Sequence, residues 1–305
     1  MVFALPFPNI GPEIFSFQLF GMTLALRWYA MAYIAGILIA WWLAAKAVRT
    51  PRLWPGKPPA TAEQIGDLIT WVIIGVIVGG RLGFVLFYEP AYYFANPHEI
   101  IAIWQGGMAF HGGFLGVVVA AVIYGKRQGI DMLRLADVMA LTTPPALALG
   151  RLSNFINGEL WGRPTDAPWG VIFPGQAAQT CPGPVGLVDG LCARHPSQLY
   201  QAGLEGVLLF LVLLWLVYRS RAFFRPGLTL GVFLAGYGVA RFFVEFFRQA
   251  DAQFISETNP AGWVVTLGPA GVTMGQLLSL PMIAVGAIFI LASLRRGPSQ
   301  STATG

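Results

Sequence analysis

The sequence predicts an all-α polytopic membrane protein of about seven transmembrane helices, N-out and C-in, with a small periplasmic head. Three observations lead there. Of 305 residues, 56% are hydrophobic and only 11% charged, whereas a soluble domain carries about 25% charged residues. The apolar residues are blocked into continuous runs of about 20, the length that crosses a ~30 Å hydrocarbon core as helix; barrel strands would be shorter and would alternate with polar residues. Finally, Lys and Arg sit at the ends of these runs. The net charge of +5 therefore reads as topology signal and lipid-headgroup anchor, and excludes nucleic acid as the partner.

Met1 to Gly21 lacks a basic n-region and contains Pro6, Pro8 and Pro12. No cleavable leader is read there, and the first long run is expected to stay as an anchor. The spans are read at 21–45, 65–88, 110–125, 133–150, 198–218, 227–247 and 272–294. The third and fourth are short, so flanking residues or bilayer thinning must make up the length. With the N-terminus outside, the inner segments hold Lys46, Arg49, Arg52, Lys57, Lys126, Arg127, Arg134, Arg219, Arg221, Arg225, Arg295 and Arg296. The outer ones hold Arg151, Arg163, Arg194 and Arg248. That asymmetry over short loops predicts the orientation.

The chain is read as one transmembrane domain over 1–305, with a Gly- and Pro-rich head inserted at 151–197 between spans four and five. Residues 88–109, with Tyr92-Tyr93-Phe94 and Trp104, are expected to lie along the interface. Gly75, Gly79 and Gly83 stand four apart and predict close helix packing. No internal repeat supports the inverted architecture common in transporters. Cys181 and Cys192 both fall in the head, on the oxidising side. Spacing alone leaves a disulfide and two free small residues equally open.

Ionisable residues inside spans are costly and face a bundle interior or a wet cavity. Here they share a depth. Arg27 and Tyr29 fall in the outer third of the first span, Arg81 about two turns from the outer end of the second, and His111 at the start of the third. Arg151 ends the fourth span, Tyr200 and Glu205 lie in the outer half of the fifth, and Arg241, Glu245 and Arg248 run along the outer end of the sixth. Arginines in excess of carboxylates suggest an anionic ligand, because guanidinium stays charged when poorly hydrated and grips phosphate bidentately. From the outer leaflet, that ligand is a phospholipid headgroup.

Plainer readings stand beside this one. Arg27 and Arg81 are compatible with snorkelling to the interface. Arg241, Glu245 and Arg248, spaced by four and three, also suit a salt-bridged stripe. Glu205 suits a packing carboxylate, and a lone histidine such as His111 is more often structural than chemical. His98, His111 and His195 are far apart, with no metal-ligand spacing. No G-x-S-x-G elbow, P-loop or dinucleotide fingerprint occurs. No metal and no cofactor are called for.

The string Gly150-Arg151-Leu152-Ser153-Asn154-Phe155-Ile156-Asn157-Gly158-Glu159-Leu160-Trp161-Gly162-Arg163 resembles the signature of the bacterial phosphatidylglycerol–prolipoprotein diacylglyceryl transferases. Further segments resemble the same family, in its order: Arg27-Trp28-Tyr29, Gly80-Arg81-Leu82-Gly83, Gly106 to Gly113, His195-Pro196-Ser197-Gln198-Leu199-Tyr200 and Arg241 to Arg248. The segment from Cys181 to Cys192 is longer than the family's head leads one to expect. The resemblance implies transfer of a diacylglyceryl group from phosphatidylglycerol to the lipobox cysteine behind a prolipoprotein signal peptide, in the bacterial cytoplasmic membrane, with the site toward the periplasm. It also implies roles. His111 is the expected base, and Arg151 and Arg241 stabilise the leaving phosphate. Tyr29 and Asn154 hydrogen-bond the headgroup or substrate. Glu159 and Glu245 orient arginines, Arg81 and Arg248 join the binding set, and Gly162 permits a tight backbone.

A lipid flippase would use the same arginines but would need polar groups continuing inward. Only Asp67 and Asp137 are candidates for that. A phospholipid phosphatase or an intramembrane protease would need its own nucleophile.

Overall fold

The structure is a computed structural model and describes residues 4–19, 22–268 and 270–298. Among them, the long helices are α1 (Trp28–Val48), α2 (Ala62–Phe87), α3 (Phe110–Arg127), α4 (Met132–Ile156), α5 (Ser197–Arg219), α6 (Leu228–Val244) and α7 (Met274–Arg296). Five of these, α1, α2, α4, α5 and α7, are long and apolar enough to cross a membrane. The chain is a multi-pass helical membrane protein. α6 is a shorter apolar helix, and α3 carries Lys126 and Arg127 in its last turn.

Each expected span falls on one of these helices, and the largest shifts are at the start of the first and the end of the fourth. The first span was expected from residue 21, but α1 begins at Trp28. Strands β2 (Glu13–Leu19) and β3 (Met22–Arg27) instead form an antiparallel hairpin. The order Phe15-Ser16-Phe17-Gln18 alternates apolar with polar residues, a period of two that suits a strand. Arg27 therefore lies at the hairpin's end rather than within a helix, paired with Glu13 at 3.3 Å and exposed. Residues 20 and 21, which the first span also included, lie outside the described residues. α3 gains two residues at its C-terminal end, running to Arg127. α4 continues through Pro144 and Pro145 to Ile156, so the first turns of the expected head, 151–156, are helix.

Caps set the helix starts. Thr61 with Gln64, and Thr273 with Gln276, form capping boxes on α2 and α7. Asp131 accepts from the amides of Leu133 and Arg134 at the start of α4. A cap across helices also occurs. Buried Asp137 of α4 accepts from Gly227 at 2.7 Å and Leu230 at 2.8 Å, the free amides at the start of α6.

α2 and α3 meet along a glycine seam. A Cβ at Gly83 would lie 2.8 Å from the Gly112 Cα, and one at Gly75 would lie 2.9 Å from the Ala120 Cβ. The four-residue glycine spacing thus serves the close packing expected of it. The apolar core lies toward the opposite end of the bundle. Leu135, Val138, Leu141, Leu213 and Val217 are buried there, and Trp54 stacks on Phe223 at 4.5 Å.

The head between α4 and α5 is built on a four-stranded sheet. Its order is β1 (Leu5–Pro6), β4 (Val171–Ile172), β6 (Leu191–Arg194), β5 (Leu187–Val188), with β1 parallel to β4 and the other pairs antiparallel. The start of the chain is therefore part of the head. Phe7, Phe155 and Phe173 pack beneath it with ring centres 5.4–5.8 Å apart. Cys181 and Cys192 form a disulfide, with Cα atoms 5.1 Å apart. A second hairpin, β7 (Trp263–Leu267) with β8 (Ala270–Thr273), leads into α7.

Candidate active site

Three helices, α4, α5 and α6, deliver charge to one layer at the head end of the bundle. Arg151 lies in the last turns of α4, and its Nε stands 3.8 Å from Oε2 of Glu205 on α5. The stretch of α5 holding Glu205, Ala202–Leu208, is π-helical. Such turns are rare and concentrate at functional sites. Gly206 lets this turn close on α4, since a Cβ there would lie 2.5 Å from that of Ala148. Glu205 is fully buried, and neither of its oxygens accepts a hydrogen bond from a described residue. Tyr237 of α6 lies in the same electrostatic neighbourhood as Glu205, Arg151 and Arg241.

Glu245, at the C-terminus of α6, is bound from three sides. Arg241 Nη2 lies 2.6 Å from its Oε1, Arg248 Nη1 lies 3.3 Å from the same oxygen, and the Thr273 hydroxyl donates to Oε2 at 3.0 Å. Gly275 leaves the room: a Cβ there would meet the Glu245 carboxyl carbon. Arg248 also reaches exposed Asp251 at 2.9 Å. The predicted stripe is thus a real ion-pair stripe, yet it is not saturated, because Arg241 Nη1 is buried without a hydrogen-bond partner among the described residues. Three guanidiniums, Arg151, Arg241 and Arg248, face two buried carboxylates, Glu205 and Glu245, while the third carboxylate on them, Asp251, is exposed.

Beyond Arg151 the chain folds back over the layer. Asn154 and Asn157 donate to Glu159 Oε1 at 2.8 and 3.1 Å. Glu159 sits between Gly158 and Leu160, both at positive φ, 66° and 58°. For leucine that is a strained backbone, held here from outside. Gln198 Nε2 donates to the Glu159 carbonyl at 2.6 Å and Ser197 Oγ to that of Leu160 at 3.1 Å. This gives the His195-to-Tyr200 segment a physical task. Tyr29, in the first turn of α1, bonds the Tyr33 hydroxyl at 3.0 Å and lies within electrostatic range of Glu159 and Arg151.

Gly162 is the clamp between head and bundle. Its amide donates to the His195 carbonyl at 2.9 Å, and it bridges Arg248. A Cβ would lie 2.5 Å from the Phe247 carbonyl oxygen and 2.6 Å from that of His195. Beside it, Arg163 donates to the carbonyls of Arg248 and Ala261, and burial holds its pKa below the usual guanidinium range.

Two predicted residues stand apart from this cluster. Arg81 is buried, and it donates to the carbonyls of Glu99, Ile100, Ala102, Gly106 and Gly107. It lies 4.9 Å from the Tyr93 ring centre as well. It neither snorkels nor joins the cluster in any recorded contact; it staples segment 99–107 to α2. That segment carries exposed Ile101 and Trp104, with Met108 just beyond it, the apolar side expected of an interfacial element. His111 is exposed in the first turn of α3, and its recorded contact is an edge-on one with Phe110. Tyr237, and Trp169 bonded to Tyr200, are site features that were not among the residues singled out from the sequence. Tyr237 does stand four residues before Arg241, the one signal that places it on the same face.

The prolipoprotein diacylglyceryl transferase family model matches residues 15–292. The chain is 65% identical to a phosphatidylglycerol–prolipoprotein diacylglyceryl transferase of Ruegeria pomeroyi, over 94% of this chain and 96% of that protein. It is 60% identical to one from Roseobacter denitrificans, over 95% and 98%. With one from Rhizobium leguminosarum bv. trifolii it shares 45% identity over 97% and 96%. The matched range takes in α1 to α6 and the charged layer, and the chain belongs to the prolipoprotein diacylglyceryl transferase family.

Proposed function

We propose that this chain transfers the diacylglyceryl group of phosphatidylglycerol to the lipobox cysteine of a prolipoprotein, at the charged layer where α4, α5 and α6 meet the head. It acts from the periplasmic side of a bacterial cytoplasmic membrane, with seven spans, N-out and C-in. Membership of the family supports the reaction, and one observation supports its place. Arg151, Arg241 and Arg248 converge on only two buried carboxylates, and Arg241 Nη1 has no hydrogen-bond partner among the described residues.

The chemistry follows from that charge. The cysteine sulfur attacks the glycerol carbon that bears the phosphate ester. A carbon–sulfur bond forms, the carbon–oxygen bond breaks, and glycerol phosphate leaves with the electron pair. The thiol proton passes to a base, a role we give to His111, since imidazole is the commonest general base among side chains. The leaving phosphate gains charge in the transition state, and pre-placed guanidiniums stabilise it most there. Arg151 and Arg241 take that task. Asn154 and Tyr29 orient the headgroup, and Glu159 and Glu245 hold the donors in place. Gly162 and Arg81 act as positioning residues, one for the head and one for the interfacial segment. No step calls for a metal or an organic cofactor.

A flippase reading loses ground on Asp137. One of the two inner carboxylates that it would need is committed to capping α6.

The test uses purified protein, phosphatidylglycerol vesicles and a lipobox peptide, with a peptide bearing serine for cysteine as control. Diacylglyceryl peptide and glycerol phosphate should appear together, and only with the cysteine. Full activity in R151A/R241A would sink the phosphate clamp. Near-normal turnover in H111Q would remove the histidine base and leave the clamp intact.

A further inference from the structure

Two buried glutamates share this layer, and they are held in opposite ways. Glu245 takes two arginines and a threonine hydroxyl at 2.6–3.3 Å. Glu205 takes one ion pair at 3.8 Å and no hydrogen bond from a described residue, although its side chain is fully enclosed. Buried carboxylates ordinarily accept several hydrogen bonds, and leaving them unmade is costly. A further cost is built into the backbone, where a π-helical turn closed by Gly206 against Ala148 carries Glu205 into the layer. In the same layer, Arg241 Nη1 is a buried donor without a hydrogen-bond partner among the described residues. An anion and a cation thus face one site, each only loosely committed to the protein.

We infer that Glu205 is the resident anion of the phosphate clamp: a positioning residue that pairs loosely with Arg151 between turnovers, yields it to the lipid phosphate, and drives the product phosphate out. This rests on the transferase reading above. The two ligands differ in charge. The phosphodiester of phosphatidylglycerol carries one negative charge. Glycerol phosphate is a monoester whose second pKa lies near 6, so at neutral pH it carries close to two. Unopposed, three arginines would hold the product more tightly than the substrate and throttle turnover. A buried carboxylate a few ångströms from Arg151 repels both ligands, and it repels the dianion about twice as strongly. Its loose bonding keeps exchange cheap; a carboxylate bonded like Glu245 would not release its arginine.

The experiment uses the full chain in phosphatidylglycerol-containing micelles, with E205Q and E205D beside the wild type. Inhibition by added glycerol 1-phosphate is measured with kcat and KM for phosphatidylglycerol. E205Q should bind the product about tenfold more tightly, lose a similar factor in kcat, and show a KM unchanged or lowered. E205D keeps the charge but sets it one methylene farther from Arg151, so its product affinity should fall between the two. A merely structural role predicts the opposite split, with KM raised and product affinity lost. Product affinity in E205Q that is unchanged or weaker overturns the proposal. Should E205Q not fold, wild-type product affinity in E205D, read by the ligand-induced shift in Tm, overturns it equally. A wild-type protein with no turnover would instead refute the transferase reading.

Discussion

The indole Nε1 of Trp169 donates to the Tyr200 hydroxyl oxygen across 2.7 Å, and that hydroxyl lies 3.0 Å from His195 Nδ1. Indole can only donate, so Tyr200 accepts from Trp169 and keeps its own hydrogen available to His195 Nδ1, a bond that favours neutral imidazole with its proton on Nε2. Desolvation by burial works in the same direction and holds the His195 pKa below the ordinary histidine value. A folded pKa below the unfolded one means that the unfolded chain binds the extra proton. His195 therefore contributes stability that is complete above the ordinary imidazole pKa and is lost as pH falls through the lowered one. Head unfolding, followed by limited proteolysis from pH 8 down to pH 5, should become easier over that window. H195F should flatten the dependence, and a slope unchanged in H195F would assign it to another group.

Gly162 tolerates no side chain, because its Cβ position is already within 2.6 Å of two carbonyl oxygens. Both belong to backbone, in the His195 and Phe247 segments, so relief requires the head to shift against α6. We expect G162A to cost about 1–3 kcal/mol in head stability and to reduce turnover at least tenfold. Gly150 is the control: it lies within α4 with nothing within 4 Å of its Cβ position. G150A should leave both stability and turnover at wild-type levels or slightly improve stability.

Arg81 separates a positioning role from a ligand role. With five backbone carbonyls as its partners, its loss should free segment 99–107 and leave the arginine layer alone. R81M should raise hydrogen exchange in residues 99–107 and lower turnover while the affinity for glycerol 1-phosphate stays at the wild-type value. A matching loss of that affinity would place Arg81 on the phosphate after all.

What could be read from the sequence followed from how local each signal was. The glycine seam is written at four-residue spacing in two helices, so Gly75, Gly79 and Gly83 announce it. The stripe of Arg241, Glu245 and Arg248 is likewise a matter of helical period. The depth of Arg151 and Glu205 came from counting along apolar runs. Arg27 was misplaced because the hydrophobic total of residues 22–27 suits a helix and a strand equally, and the deciding partner, strand 13–19, lies outside that window. The fate of Arg81 could not be foreseen, since its carbonyl partners are backbone groups 18 to 26 residues away and carbonyls leave no mark in a sequence. The bare state of Glu205 depends on a π turn and on Gly206 meeting Ala148, a contact between two helices.

The disulfide was the one feature that spacing left open, and it now supports a prediction of its own. It joins residues 11 apart and pins the loop around Cys181 to β6, where Cys192 is fully buried. Closing a loop of that length removes entropy from the unfolded head equivalent to roughly 3 kcal/mol. Yet neither sulfur belongs to the charged layer, and the bonds that fix Glu159, Leu160 and Gly162 come from Ser197, Gln198 and His195. C181A/C192A should therefore lose head stability, seen as faster proteolysis within 165–195, while kcat and KM for phosphatidylglycerol stay within about twofold of wild type. Mild reduction of the wild-type protein should reproduce the proteolysis without touching the sequence. If turnover collapsed in both cases, the loop closed by Cys181 and Cys192 would have to be counted among the parts that hold substrate.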